Sequence, residues 1–278
     1  MNPKNAVKRA LMHFLKLHKP MTRNAPTPQN MADIFKGEWA SRFPAPFDSI
    51  NAGTVPVFED SRIAWAIQAM RGVDGFSVLE LGPMEGGHSY MLEKAGAASI
   101  TAIEANPSAF LKCLVVKELL QLQRTRFQFG DFMKYFESNP PRVDAIFASG
   151  VLYHMENPVS LINQIAGITD RVYIWTQYYQ ADSVQRLPEL AKQFVSHDAA
   201  EYAGFKFVSH RREYTPALNM GRFYGGTENC SVWLTLEDLV GALKHAGLEN
   251  IQIQFDDPNH AHGPCVSLLA SRESVSRS

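Results

Sequence analysis

The chain lacks most of what would mark a secreted, metal-bound or membrane-embedded protein. Its 278 residues include three cysteines, Cys113, Cys230 and Cys265, with no CxxC spacing. An odd set of this kind argues against a disulfide frame and a zinc site, and for reduced thiols in a cytoplasmic setting. No apolar run approaches 18 residues, so no transmembrane helix is expected. The stretch Leu11–Lys16 is broken by His13 and lacks a small-residue cleavage site, so it does not read as a signal peptide. Net charge is −1, which removes the bulk electrostatic case for a nucleic-acid partner. No G-x-x-x-x-G-K-[ST] phosphate loop, internal repeat or low-complexity tract occurs, apart from a polar tail at Ser271–Ser278. With 45% hydrophobic and 20% charged residues, the composition is that of one large globular domain with an ordinary core and an extension.

What is present begins at Phe76-Ser-Val-Leu-Glu-Leu-Gly-Pro-Met-Glu-Gly-Gly-His88, followed by Ser99-Ile-Thr-Ala-Ile-Glu104. The first stretch reads as a strand, a glycine-rich turn and a helix start; the second as an apolar strand ending in a carboxylate. Gly82 and Gly86 allow positive φ and close approach of a ligand. Glu104 stands where a βαβ unit places an acid that accepts from both ribose hydroxyls. An adenosine-containing ligand follows. A dinucleotide turn needs a middle glycine beside the pyrophosphate, but Met84 holds that position and Glu85 adds negative charge. S-adenosylmethionine carries a sulfonium and an ammonium and no phosphate, and an acidic rim of Glu80, Glu85 and Glu104 suits such a cation.

Residues 76–176 resemble a class I S-adenosylmethionine-dependent methyltransferase. Glu80-Leu-Gly82-Pro83-Met-Glu-Gly86 matches the first motif of that family, and Glu104 its ribose-binding acid. Gly130-Asp131-Phe132 matches the step that flanks the adenine. Val143–Ser149 matches the fourth strand, and Gly150-Val-Leu-Tyr153-His154 the segment facing the active site. The resemblance implies cofactor contacts from Glu80, Gly82, Pro83, Gly86, His88, Glu104, Asp131, Phe132, Ser149 and Gly150. It implies S-adenosylmethionine as cofactor and S-adenosylhomocysteine as product.

The rest of the chain supports a doubly wound α/β fold: a mostly parallel seven-stranded sheet whose last strand is antiparallel. Strands are expected at 76–81, 99–104, 125–129, 143–149, 171–176, 251–255 and 266–270. Asn106-Pro107 and Asn157-Pro158 each read as a cap followed by proline at the first helical position, and Thr235–Asp238 as a capping box. Residues 1–57 form a separate segment. A basic amphipathic helix carries Lys4, Lys8, Arg9, Lys16 and Lys19 and ends at Pro20; it reads as a solvated arm. A proline-rich strap follows, with one short helix near 29–39. Residues 58–278 form the catalytic domain, with an aromatic and basic insertion after strand five at 177–231.

Ligands of open α/β sheets lie beyond the carboxyl ends of the strands. That rule selects His154 as the general base for a hydroxyl or phenol acceptor, against a structural role under the cofactor. It selects Tyr153, Tyr178, Tyr179, His260 and His262 around the acceptor. From the insertion, Arg211, Arg222 and Tyr224 join them as a substrate cover, the alternative being a homodimer interface. No metal site is expected. The reading is methyl transfer to a small-molecule acceptor such as a sugar, a phenol or a natural-product intermediate. Two alternatives stand beside it: a wobble-uridine tRNA-modifying transferase using S-adenosylmethionine or its carboxylated relative, and a non-catalytic cofactor-binding subunit.

Overall fold

Short apolar runs, each bounded by glycine, proline or a polar turn, build the centre of the protein. In the computed structural model, which describes residues 21–213 and 228–272, α1 (Pro28–Ala32) and an irregular strap lead to α2 (Ser61–Ala69) and β1 (Ser77–Leu81). The chain alternates through α3 (Gly87–Lys94), β2 (Ser99–Glu104), α4 (Pro107–Leu119), β3 (Thr125–Phe129), α5 (Phe132–Glu137), β4 (Ala145–Ser149), α6 (Pro158–Ile168) and β5 (Arg171–Gln177). Then come α7 (Ala181–Gln185), α8 (Pro188–Ala191), β6 (Phe194–Tyr202), β7 (Phe205–Glu213) and β8 (Cys230–Trp233). The series closes with α9 (Leu236–His245), β9 (Asn250–Asp257) and β10 (Cys265–Ser271). The expected basic helix over the first 20 residues, and Arg222 and Tyr224, lie outside the described residues.

The seven-stranded sheet runs β3-β2-β1-β4-β5-β10-β9, with β10 antiparallel to both neighbours. Strand order reverses between β1 and β4, which opens a crevice beyond their carboxyl ends. Alternation along the strands feeds two cores. Leu79, Leu81, Ile146 and Ala148 face α6 and α9. Val78, Ala145 and Phe147 face α2, α3 and α4. The expected caps form: Asn106, Asn157 and Thr235 accept from the backbone N–H of Ala109 (3.0 Å), Ser160 (2.9 Å) and Asp238 (3.0 Å).

Two elements differ from expectation. The helix near 29–39 stops after α1 and a 3₁₀ turn (Asp33–Phe35), because Gly37 adopts φ +74°. Trp39 instead donates its indole N–H to the Ala32 carbonyl (2.8 Å). The insertion forms its own antiparallel sheet, β6-β7-β8. Its hairpin turns at Ala203 and Gly204, both at positive φ, as a two-residue turn between twisted strands requires. Among the described residues no helix is long and apolar enough to cross a membrane, and the three cysteines are free and buried.

The strap is part of the core. Trp39, Phe43, Ile50 and Phe58 are buried with the β1–α2–α4 face. Glu85, expected on the acidic rim, points away from the crevice and into this packing. Its carboxylate pairs with Lys112 of α4 at 2.9 Å, both side chains being 0% exposed. It also accepts from the backbone N–H of Ala40 (3.1 Å) and Ser41 (2.8 Å), while Lys112 donates to the Glu38 carbonyl (2.5 Å). At Gly87 a Cβ would lie 2.9 Å from the carbonyl carbon of Val57, so only glycine lets the strap lie this close.

Removing one partner of a buried pair leaves an uncompensated charge, at a cost of about 3–5 kcal/mol. Lys112→Met should lower the unfolding free energy by that amount in urea titrations. The exposed Lys134–Glu137 pair is the silent control.

Candidate functional site

A cavity of about 580 Å³ opens beyond the carboxyl ends of β1, β2, β4 and β5. Its floor is the turn after β1. Gly82 takes φ +64° and donates its N–H to the Ile103 carbonyl (3.0 Å), which ties the turn to β2. Met84, also at positive φ, donates its N–H to Glu104 Oε2 (3.0 Å), and Asn106 donates to Oε1 (2.8 Å). The Glu104 carboxylate is therefore fixed in place at the end of β2. Burial raises its pKa, against these backbone bonds that lower it. A carboxylate has about four acceptor directions, so capacity remains on the cavity side for hydroxyl donors.

Glu104 lines the cavity together with Gly82, Pro83, His88, Asp131, Phe132, Ser149, Gly150, Tyr153 and His154. Asp131 also caps α5 by accepting from the Met133 N–H (2.7 Å). Glu80 sits one layer deeper at 2% exposure. Ser89 donates to its Oε2, while Oε1 has no hydrogen-bond partner and lies 4.0 Å from His88 Nδ1. Burial raises its pKa. Gly86 takes φ +78° as the cap of α3; a Cβ there would meet the Phe127 ring at 3.1 Å, and the residue is not on the cavity wall.

The expected acceptor residues divide. Tyr153 and His154 face the cavity, their rings 4.1 Å apart. Tyr178 is turned into the core and donates to Asp256 Oδ1 (2.7 Å). Tyr179 stacks on His210 at 3.7 Å, outside the cavity lining. Arg211 pairs across to Val232 in the second sheet. His260 meets the ring of Trp175 edge-on at 6.3 Å, and its Nδ1 accepts from the His262 N–H (3.3 Å). The carbonyl of His262 accepts from Gln177. Among the described residues no group of three or more His, Cys, Asp or Glu could hold a metal.

The sequence reading missed Arg62, Trp175 and the strap residues Ala40, Val55 and Val57, all of which line the cavity. Trp175 was within reach of the strand-end rule, since it lies near the end of β5. Arg62 carried a weaker signal: it follows the cap residue Asp60 by two positions. Asp60 accepts from Arg62 Nη2 (2.6 Å) and from His88 Nε2 (3.0 Å). Despite its burial, these hydrogen bonds and charges hold its carboxyl far below the usual range.

Solved structures that share this architecture include the following three. The N-terminal domain of EvdMO1, crystallised in the presence of S-adenosylhomocysteine and D-fucose, is 20% identical, with a TM-score of 0.68 over 88% of this chain and 95% of its own. Magnesium protoporphyrin IX methyltransferase from Synechocystis PCC 6803, with bound S-adenosylhomocysteine, is 16% identical, with a TM-score of 0.51 over 77% of this chain and 81% of its own. An S-adenosylmethionine-dependent methyltransferase from Mesorhizobium loti is 14% identical, with a TM-score of 0.51 over 77% of this chain and all of its own (100%). The chain has the class I methyltransferase fold. No protein-family profile and no curated protein matches the sequence, so it is the three-dimensional arrangement that carries the likeness.

Within this fold His154 is the titratable group whose environment bears most on chemistry. Burial, and secondarily the Arg212 charge, bring its pKa from 6.5 down to about 4. The imidazole is thus neutral at physiological pH. On acidification below pH 6.5 the unfolded chain takes the proton first, so stability is lost between about pH 6.5 and 4 and unaffected above. Imidazole ¹⁵N shifts recorded from pH 8 to 3.5 should show His154 neutral to about pH 4. A midpoint near 6.5 would contradict this environment.

Proposed function

We propose that the protein is an S-adenosylmethionine-dependent methyltransferase that acts on a small molecule. The observation that carries this reading is the Glu104 carboxylate, oriented by Met84 and Asn106 above a floor in which Gly82 and Gly150 admit a ligand without a Cβ in the way. These residues fit the cofactor's ribose and its methionine arm, while Asp131 and Phe132 fit the adenine edge and face. Met84, where a dinucleotide turn has its middle glycine, and the Glu104 carboxylate on the cavity wall disfavour a pyrophosphate. When bound, S-adenosylmethionine supplies a sulfonium-activated methyl group open to in-line displacement and departs as S-adenosylhomocysteine.

The chain's own part is alignment and proton handling. Tyr153 and Trp175, their rings 5.9 Å apart and near perpendicular, form an aromatic wall for the acceptor. Neutral His154 is placed to accept a hydroxyl proton at an imidazole nitrogen as the acceptor oxygen becomes an ether. The fixed strap closes one side of the cavity, which favours a compact acceptor over a folded nucleic acid. The structural neighbours are in line with this: one is a porphyrin methyltransferase and another was crystallised in the presence of a sugar.

Thermal unfolding with added ligand tests the reading. S-adenosylhomocysteine at a hundred times its dissociation constant should stabilise by about 2.7 kcal/mol, a shift of several degrees for a chain of this size. Glu104→Ala should abolish it. A shift with NAD alone would overturn the proposal, and a preference for carboxy-S-adenosylmethionine would move it to the tRNA-modifying alternative.

A further inference from the structure

Resting on the methyltransferase reading, we propose that Arg62 anchors the acceptor and that the acceptor carries a carboxylate. Arg62 is held in one orientation from two sides. Its Nε donates to Asp60 Oδ1 (3.0 Å) and its Nη2 to Oδ2 (2.6 Å), a two-point contact on one edge of the guanidinium. Its Cζ lies 4.7 Å from the centroid of the Trp175 ring, which covers one face. Asp60 is fixed in turn, because it caps α2 through the Arg62 N–H (2.9 Å) and receives His88 Nε2 (3.0 Å) on Oδ2.

One edge of the guanidinium is left over. Among the described residues, Nη1 and the second Nη2 hydrogen make no hydrogen bond, and Arg62 lines the cavity. Two parallel N–H groups on a planar, permanently charged head match a carboxylate point for point. The entropy of holding the side chain is already spent on Asp60 and Trp175, so the fork meets its ligand preorganised. A lysine at this position would keep the charge and lose the fork.

Position sets this fork at the β5 end of the cavity, away from Glu104. Trp175 pairs in register with Ser149 of β4, and Glu104 ends β2 on the far side of β1. Glu104 and Trp175 therefore stand three strand spacings apart, roughly 14 Å at the usual sheet geometry. A cofactor anchored at Glu104 directs its methionine arm toward Gly82 and Gly150, which line the cavity. Arg62 stands over Trp175, whose ring meets that of Tyr153 near perpendicular at 5.9 Å. A carboxylate held there swings the rest of the acceptor across the aromatic wall toward His154.

Isothermal titration of the S-adenosylhomocysteine complex with benzoate and with benzyl alcohol tests the assignment, both being small enough for the cavity. Benzoate should bind at least tenfold more tightly than the alcohol. Arg62→Lys should weaken benzoate at least tenfold while leaving the affinity for S-adenosylhomocysteine within twofold, which also reports an intact fold. Equal binding of the two probes, or benzoate binding unchanged in Arg62→Lys, would overturn the proposal. So would a tenfold loss of S-adenosylhomocysteine affinity in that variant, which would assign the fork to the cofactor's carboxylate. A wild-type chain that binds no S-adenosylhomocysteine would strike the methyltransferase reading, and this inference with it.

Discussion

A buried carboxylate on the turn after β1 holds the site together. Glu85 and Lys112 are both fully buried. Their mutual attraction offsets a desolvation cost that neither could meet alone. The carboxylate also satisfies the Ala40 and Ser41 N–H groups, backbone donors that would otherwise be buried without partners. One turn therefore works in two directions. Its front, with Gly82 and Pro83, floors the cavity, and its back fastens the strap whose Ala40, Val55 and Val57 wall it. Gly87 belongs to the same arrangement, since the strap occupies the space a Cβ would need.

The cavity is electrically graded as a consequence. At the β2 end, carboxylates are held by backbone N–H groups and remain acceptors for neutral or cationic donors. At the β5 end, an arginine is oriented by a carboxylate it shares with His88, and an aromatic ring covers one of its faces. Between them His154 is kept neutral by burial. A sulfonium centre would stand between fixed negative and fixed positive groups, with an uncharged proton acceptor close by. Such preorganised electrostatics, more than any single reactive side chain, is what methyl transfer asks of a protein.

Much of this was legible in the sequence, for physical reasons that differ by element. The strands were readable because apolar runs bounded by turn residues leave few alternatives, and the helix starts because Asn-Pro caps act within one turn. The place of Glu104 on the cavity was readable because it follows from chain spacing along a βαβ unit. Glu85 was misread as a rim acid: nothing within several residues of it records that Lys112 and the strap backbone would be waiting on the other side. Tyr178 and Tyr179 were grouped with the acceptor residues by their place after β5. Which way each ring turned depended on Asp256 and His210, 78 and 31 residues further along.

The sequence by itself therefore determined the order and kind of the elements and the acid at the end of β2, because these rest on contacts local in the chain. Only the tertiary structure decided which charges line the cavity and which are buried behind it. That choice turns on desolvation and pairing between distant segments: Glu85 with Lys112, and Arg62 with Asp60 and Trp175. Burial and partner geometry of this kind exist only once the sheet has brought the strap, α2 and β5 together.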